Sequence, residues 1–349
     1  MLVISAKEQR DLVNMNEVIA YAALALQEFS AERTITPIRT SLPFANEKNT
    51  ALIMPSVAEG LEVLGLKVVT VVPHNKKIGK KTINGIVMLS DFQTGEPLAL
   101  LEGSYLTMIR TGALSGVATK YLARHNAKTL CIIGTGEQAK GIAEAVFAVR
   151  DIERVMLYNR TEEKAYAFSQ YIQKRFNTPT YVHKNANEAI SEADIIVTTT
   201  NASTPVFSEK LQKGVHINAV GSFRPNMQEL PSHAIANANK VVVESKEAAL
   251  EETGDLQVPV REGLFEASDI HAELGQIISG EKAGRESDEE ITVFKSVGLA
   301  VVDIIVAKYL YEKAVERGVG VGLSFEGDCL LVVFFCIKSC KARKSRASI

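Results

Sequence analysis

Apolar residues recur at helical spacing over residues 14–29 (Val18, Ile19, Ala22, Leu24, Leu26), which predicts a surface helix. From residue 35 to residue 101 the period shortens, and the runs 51–54, 66–72 and 85–89 read as strands. Asp91-Phe92-Gln93-Thr94-Gly95-Glu96-Pro97 supplies a turn before 98–101 continues the pattern, so this part is a sheet with hairpin connections. Residues 104–123 then predict a long helix of small residues, suited to close packing. At Lys128 the texture changes to alternating strand and helix, with strands expected at 129–133, 154–158, 193–199, 215–220 and 240–243. That alternation predicts an α/β fold with a parallel sheet covered on both faces. A last helix is expected over 296–317, after the polar stretch 281–290, and its place is back on the first part of the chain.

The run 329–337 breaks this texture: it is apolar, and Lys338, Lys341, Arg343, Lys344 and Arg346 follow it. It has less than half of the roughly 20 apolar residues that a membrane span needs. It reads as an atypical extension without chemistry, and no membrane partner is expected. With 349 residues the chain exceeds what one hydrophobic core usually serves, so two domains are expected. A net charge of −2 gives no general pull toward nucleic acid or an anionic surface, and the lack of Trp argues against base stacking. The N-terminus turns polar too soon for a signal peptide. Four scattered or clustered Cys and six scattered His make neither a disulfide framework nor a metal-ligand spacing, so no metal is expected and a reducing cytoplasm is the expected home.

The strongest chemical signal is Leu130-Cys131-Ile132-Ile133-Gly134-Thr135-Gly136-Glu137-Gln138-Ala139. A buried strand ends in G-x-G-x-x-A and passes into a helical pattern. Gly134 permits the tight turn, Gly136 lets a pyrophosphate approach the backbone, and the helix N-terminus offers donors to it. The second strand ends in Tyr158-Asn159-Arg160-Thr161. The acid that usually bonds the ribose hydroxyls of NAD is missing there, whereas a guanidinium with neutral donors suits a 2′-phosphate. NADPH is therefore the expected cofactor, with NADH as the alternative; Thr161 also stands where it would cap the next helix.

Three basic residues stand out before the glycine turn: Arg39, Lys67 and Arg110. Lys67 lies inside an otherwise apolar strand, where an ammonium is costly unless it meets a partner or a cavity. Together the three would bind a carboxylate, with Lys67 at a lowered pKa able to donate a proton. The competing reading of each is a snorkelling or surface charge.

These features, taken with Pro37-Ile38-Arg39-Thr40, Ile109-Arg110-Thr111-Gly112-Ala113, Ile217-Asn218-Ala219-Val220-Gly221-Ser222, Glu252-Thr253-Gly254-Asp255 and Thr292-Val293-Phe294-Lys295-Ser296, resemble the ornithine cyclodeaminase/mu-crystallin family over most of the chain. The resemblance implies a Rossmann-type doubly wound parallel sheet, residues 126–295, inserted into a mixed α+β substrate-binding and dimerisation domain, residues 1–125 and 296–318. Residues 319–349 form the atypical tail. It implies a homodimer, with Arg39, Lys67 and Arg110 facing substrate and nicotinamide. Thr82, Gly134, Gly136, Gln138, Asn159, Arg160, Thr161, Thr200, Val220 and Ser296 match cofactor-contacting positions, and Arg110 joins them.

The family includes ornithine cyclodeaminases, alanine dehydrogenases, ketimine reductases and hormone-binding lens proteins. Cyclodeaminases place an Asp where this chain has Phe223, and a phenyl ring can neither accept a proton nor orient an amine. The expected activity is therefore reduction of a cyclic ketimine, Δ1-pyrroline-2-carboxylate or its six-membered analogue, to the imino acid, with Phe223 packing against the ring. An ornithine cyclodeaminase, an alanine dehydrogenase or opine-type reductase and a non-catalytic binding protein are the alternatives.

Overall fold

The computed structural model describes residues 1–46, 48–324 and 333–334, and two sheets organise them. The chain begins with β1 (Leu2–Ile4), α1 (Ala6–Leu12) and α2 (Met15–Ser30), the surface helix of the sequence pattern, capped by the Asn14 side chain on the Asn16 amide at 3.0 Å. β2 (Thr34–Ile35), β3 (Thr40–Phe44), β4 (Asn49–Ala58), β5 (Val63–Val71), β6 (Ile83–Ser90) and β7 (Pro97–Glu102) follow, and β3 to β7 pair antiparallel in sequence order. The two-residue period sorts their side chains. Met54, Lys67 and Val87 share a register and are buried on the inner side, while their neighbours Ile53, Val68 and Ile86 share the outer side.

The small-residue helix is α3 (Gly103–Leu122), and its composition has a direct consequence. A side chain on Gly112 would run into the carbonyl of Gly141, so the backbones of α3 and the helix α4 (Glu137–Val149) touch. That contact joins the first sheet's layer to the second.

The second sheet is built by β8 (Thr129–Ile133), β9 (Arg154–Tyr158), α5 (Glu162–Phe176), β10 (Thr180–Val182), α6 (Ala186–Ile190), β11 (Ile195–Thr198), β12 (His216–Ala219) and α7 (Ser232–Ala236). It continues with β13 (Lys240–Val243), α8 (Lys246–Glu252), α9 (Gly254–Arg261), β14 (Ile270–Glu273), α10 (Leu274–Ile278) and β15 (Thr292–Lys295). The order is β10-β9-β8-β11-β12-β15-β13-β14, and every pair is parallel. The order reverses between β8 and β11, the switch point at which such sheets bind ligands.

The five strands expected here are present, and β10, β14 and β15 extend them. These three are three or four residues long and carry polar residues such as Thr180, His271 and Lys295 that break the apolar run. The last helix, α11 (Ala300–Arg317), packs back on α2 and on β4, β5 and β6 of the first sheet, as its pattern implied. It starts at Ala300, however, not at Ser296. Residues 296–299 instead wrap a buried carboxylate, Glu244, whose bonds to the backbone amides of Val297 and Gly298 replace a first helical turn. Val321–Gly322 forms β16 on β1, and β17 (Val333–Phe334) pairs with β16. The remainder of the apolar run 329–337 and the basic residues after it lie outside the described residues. No helix among the described residues is long and apolar enough to cross a membrane.

Candidate active site

The glycine turn sits at the switch point. Gly134 has φ +92°, and a Cβ there would lie 2.6 Å from the Thr199 carbonyl, so the turn demands glycine. Nothing lies within 4 Å of a Cβ built on Gly136, which leaves the space over the N-terminus of α4 open to an approaching ligand. Ala139 is fully buried between helix and strand. Thr135 Oγ1 and Gln138 Oε1, both buried, have no hydrogen-bond partner among the described residues. Open backbone, a helix N-terminus and unspent polar atoms fit a dinucleotide pyrophosphate.

Asn159 Oδ1 accepts the Thr135 amide at 3.2 Å, and its Nδ2 donates to the Thr161 carbonyl at 2.8 Å. The amide thereby ties the end of β9 to the glycine turn, and Arg160 beside it is exposed. Thr161 is the N-cap of α5, but its hydroxyl makes no cap bond. Thr200 and Val220 stand at the ends of β11 and β12, and Thr200 Cγ2 lies against Gly134. Glu229, fully buried, pins both ends: it accepts Thr198 Oγ1 at 3.0 Å and the amides of Thr200 at 2.5 Å and Gly221 at 2.7 Å. Burial, reinforced by Asp255, pushes its carboxyl above the usual range.

Lys67 finds its partner 236 residues away. Its Nζ donates to Asp303 Oδ1 at 2.8 Å, and Arg110 Nε donates to the same oxygen at 2.9 Å. Lys67 is 2% exposed and Asp303 fully buried. Burial pushes the lysine down to about 8, against the pull of Asp303 and with the help of Arg110 and Arg39. For Asp303 burial acts upward, but the two cations outweigh it and hold the carboxyl below its usual range.

Arg39 leads into β3 and is anchored on one edge. Its Nε donates to Glu252 Oε1 at 2.8 Å and its Nη2 to Glu252 Oε2, to the Val297 carbonyl at 2.6 Å and to the Gly298 carbonyl at 3.1 Å. Gly298 has φ +98°, and a Cβ there would sit 3.2 Å from Arg110 Nη2. The loop 296–299 thus touches both guanidiniums. Ser296 Oγ donates to Glu244 at 3.0 Å, so its hydroxyl supports this loop.

The structure therefore brings Arg39, Lys67 and Arg110 together around the 296–299 loop, and it gathers Gly134, Gly136, Gln138, Asn159, Thr200 and Val220 around the switch point. Thr82 immediately precedes β6, where its carbonyl accepts the Val72 amide at 2.7 Å. Phe223 lies half-buried after β12, its ring under the Arg224 guanidinium at 5.6 Å. Asp303, Glu252, Glu244 and Glu229 are site residues that the sequence pattern did not single out. Only Glu252 carried a hint, inside Glu252-Thr253-Gly254-Asp255.

A dinucleotide turn at the switch point of the parallel sheet, together with a buried lysine and two arginines gathered by the first sheet and the helices on it, defines a nicotinamide-dependent oxidoreductase. Within that class the chain belongs to the ornithine cyclodeaminase/mu-crystallin family, which it matches over residues 1–318. It is 94% identical over 325 residues to a Δ1-pyrroline-2-carboxylate reductase of Bacillus cereus, covering 93% of this chain and 100% of the relative. Among solved structures, the Thermococcus litoralis Δ1-pyrroline-2-carboxylate reductase in complex with NADH and L-proline superposes with a TM-score of 0.90 at 41% identity, covering 93% of this chain and 100% of that one. An archaeal alanine dehydrogenase dimer with bound NAD superposes with a TM-score of 0.87 at 37% identity, covering 93% and 99%.

Proposed function

We propose that the chain is a Δ1-pyrroline-2-carboxylate reductase that forms L-proline with a reduced nicotinamide cofactor, NADPH in preference to NADH. The observation that carries the reading is the buried Lys67 between Arg110 and Arg39, a proton donor flanked by carboxylate binders. The bacterial relative at 94% identity and the archaeal structure holding NADH and L-proline support it.

The substrate's carboxylate is assigned to Arg39 with Lys67 and Arg110. Each arginine is gripped on one side by a protein carboxylate, and Arg39 Nη1 and the terminal nitrogens of Arg110 carry no protein hydrogen bond among the described residues. Lys67 supplies the proton for the imine nitrogen, and Phe223 is assigned to the ring of the substrate. The cofactor, held by Thr82, Gly134, Gly136, Gln138, Asn159, Arg160, Thr161, Thr200 and Val220, with Arg110 and Ser296 toward its nicotinamide, would supply hydride to the ring carbon. The contribution of this chain is orientation and control of charge at the iminium. A homodimer is proposed from the archaeal relative and from the apolar outer side of the first sheet. A reducing cytoplasm fits Cys131, a free thiol buried in β8.

The test is absorbance at 340 nm with NADPH or NADH and Δ1-pyrroline-2-carboxylate, beside an NAD-supplemented assay for proline from ornithine. Rapid oxidation in the first and none in the second is expected. Proline and ammonia from ornithine would overturn the reading, because Phe223 leaves no acid to handle the amine.

A further inference from the structure

One carboxylate lies where two cations of the site converge. We propose that Asp303 is a positioning residue of the reduction: it fixes the Lys67 ammonium and the Arg110 guanidinium in one arrangement and keeps Lys67 a proton donor. The inference rests on the reductase reading for the identity of the proton acceptor, and on geometry for the rest.

Three elements meet at Asp303. Lys67 comes from β5, Arg110 from α3 and Asp303 from the first turn of α11, and both cations donate to the single atom Oδ1. Oδ2 is buried and has no hydrogen-bond partner among the described residues. A buried carboxylate that served packing alone would have both oxygens satisfied, because each bare oxygen costs free energy. An unspent oxygen beside the proton donor is what a site arranged for a further polar group requires.

The charges facing Lys67 are Asp303 from α11, Arg110 from α3 and Arg39 from the segment before β3. Its strand neighbours Met54 and Val87 are apolar. Burial and both arginines oppose the ammonium, and Asp303 alone favours it. Lys67 sits at about 8 with that carboxylate in place, so removing the negative charge leaves it largely neutral at neutral pH. The step it controls is a proton transfer. The Nζ–H bond breaks with its electron pair kept on Nζ, an N–H bond forms at the imine nitrogen, and water restores the proton to Lys67 afterwards.

The experiment measures kcat/KM for Δ1-pyrroline-2-carboxylate from pH 6 to 10 in wild type, Asp303→Asn and Asp303→Glu, with NADH affinity followed by fluorescence. Wild type is expected to lose kcat/KM as pH rises through about 8. In Asp303→Asn the same fall moves about one unit or more lower, with kcat/KM at pH 8 down about 5-fold or more and NADH affinity held within a few-fold. Asp303→Glu keeps the charge, so its fall stays near the wild-type pH although its rate drops. A pH profile unmoved in Asp303→Asn overturns the proposal, and so does one displaced by a full unit in Asp303→Glu, which decides the matter if Asn is not tolerated. Acetylation of Lys67 by acetic anhydride against pH, read by mass spectrometry, follows the same titration without substrate. If wild type oxidises no NADH, the reductase reading fails, while the labelling midpoints still decide whether Asp303 holds Lys67.

Discussion

At the end of β9 the proposed preference for NADPH rests on one exposed side chain. Asn159 is occupied, its amide bonded to both Thr135 and Thr161, so it orders the turn and has little left to distinguish a phosphate from a hydroxyl. Arg160 is exposed and free to fork onto a 2′-phosphate, and the residues that end β9 and lead to Thr161 include no acid to take the ribose diol. Arg160→Asp should raise the KM for NADPH on the order of 10- to 100-fold, equivalent to about 1.4–2.7 kcal/mol, and leave that for NADH within a few-fold. Steady-state kinetics with both cofactors measure this, and equal weakening of the two removes the NADPH preference. Arg160 and Lys67 were legible in the sequence because each breaks a local expectation, an absent acid in one case and a charge in an apolar strand in the other. Asp303 was not, since a single acid within a helical pattern is ordinary. Its meaning depends on a strand and a helix 236 and 193 residues away.

Strands were legible where their apolar run was unbroken. β8, β9 and β13 are bounded as the pattern predicted, whereas β10, β14 and β15 carry polar residues (Thr180, His271, Glu273, Thr292, Lys295) that interrupt their short apolar runs. The start of α11 was misplaced for a different reason: the partner of residues 296–298 is Glu244, at the end of β13, and no local pattern encodes it. β12 shows what burial of a polar strand residue costs. His216 is fully buried with Nδ1 3.0 Å from Thr292 Oγ1, and burial, aided by Arg285, pushes it down to about 3. The unfolded chain takes a proton on this residue below its ordinary value of about 6.5, while the folded chain refuses it until about 3. Stability from this group is therefore intact above 6.5 and falls as pH drops toward 3, by up to about 1.4 kcal/mol per pH unit. Thermal melts from pH 4 to 7 should show a shallower acid decline in His216→Gln than in wild type. Parallel curves would mean that His216 does not titrate in this way.

For the whole molecule, the antiparallel sheet has one face committed and one face open. The inner side carries Lys67 and is covered by α11 and α3, which places the site against the second sheet's loops. The outer side follows from the same two-residue period. Leu42, Phe44 and Ile86 are 47%, 42% and 46% exposed in the single chain, with Ile53 and Val68 in register beside Ile86. An apolar stripe of this kind across several strands is the mark of an interface and not of a solvated face. A second copy is the proposed cover. Leu42→Lys with Ile86→Lys tests it without disturbing the core, because both side chains already point away from it. Sedimentation equilibrium of the wild type should give a dimer, and the double variant should shift toward half that mass while keeping its circular dichroism. Since β3 begins one residue after Arg39, separation of the copies should also loosen the carboxylate site and raise the KM for substrate more than it lowers kcat. A double variant that stays dimeric would place the interface elsewhere. One that dissociates with unchanged KM would keep the interface but free Arg39 from any dependence on it.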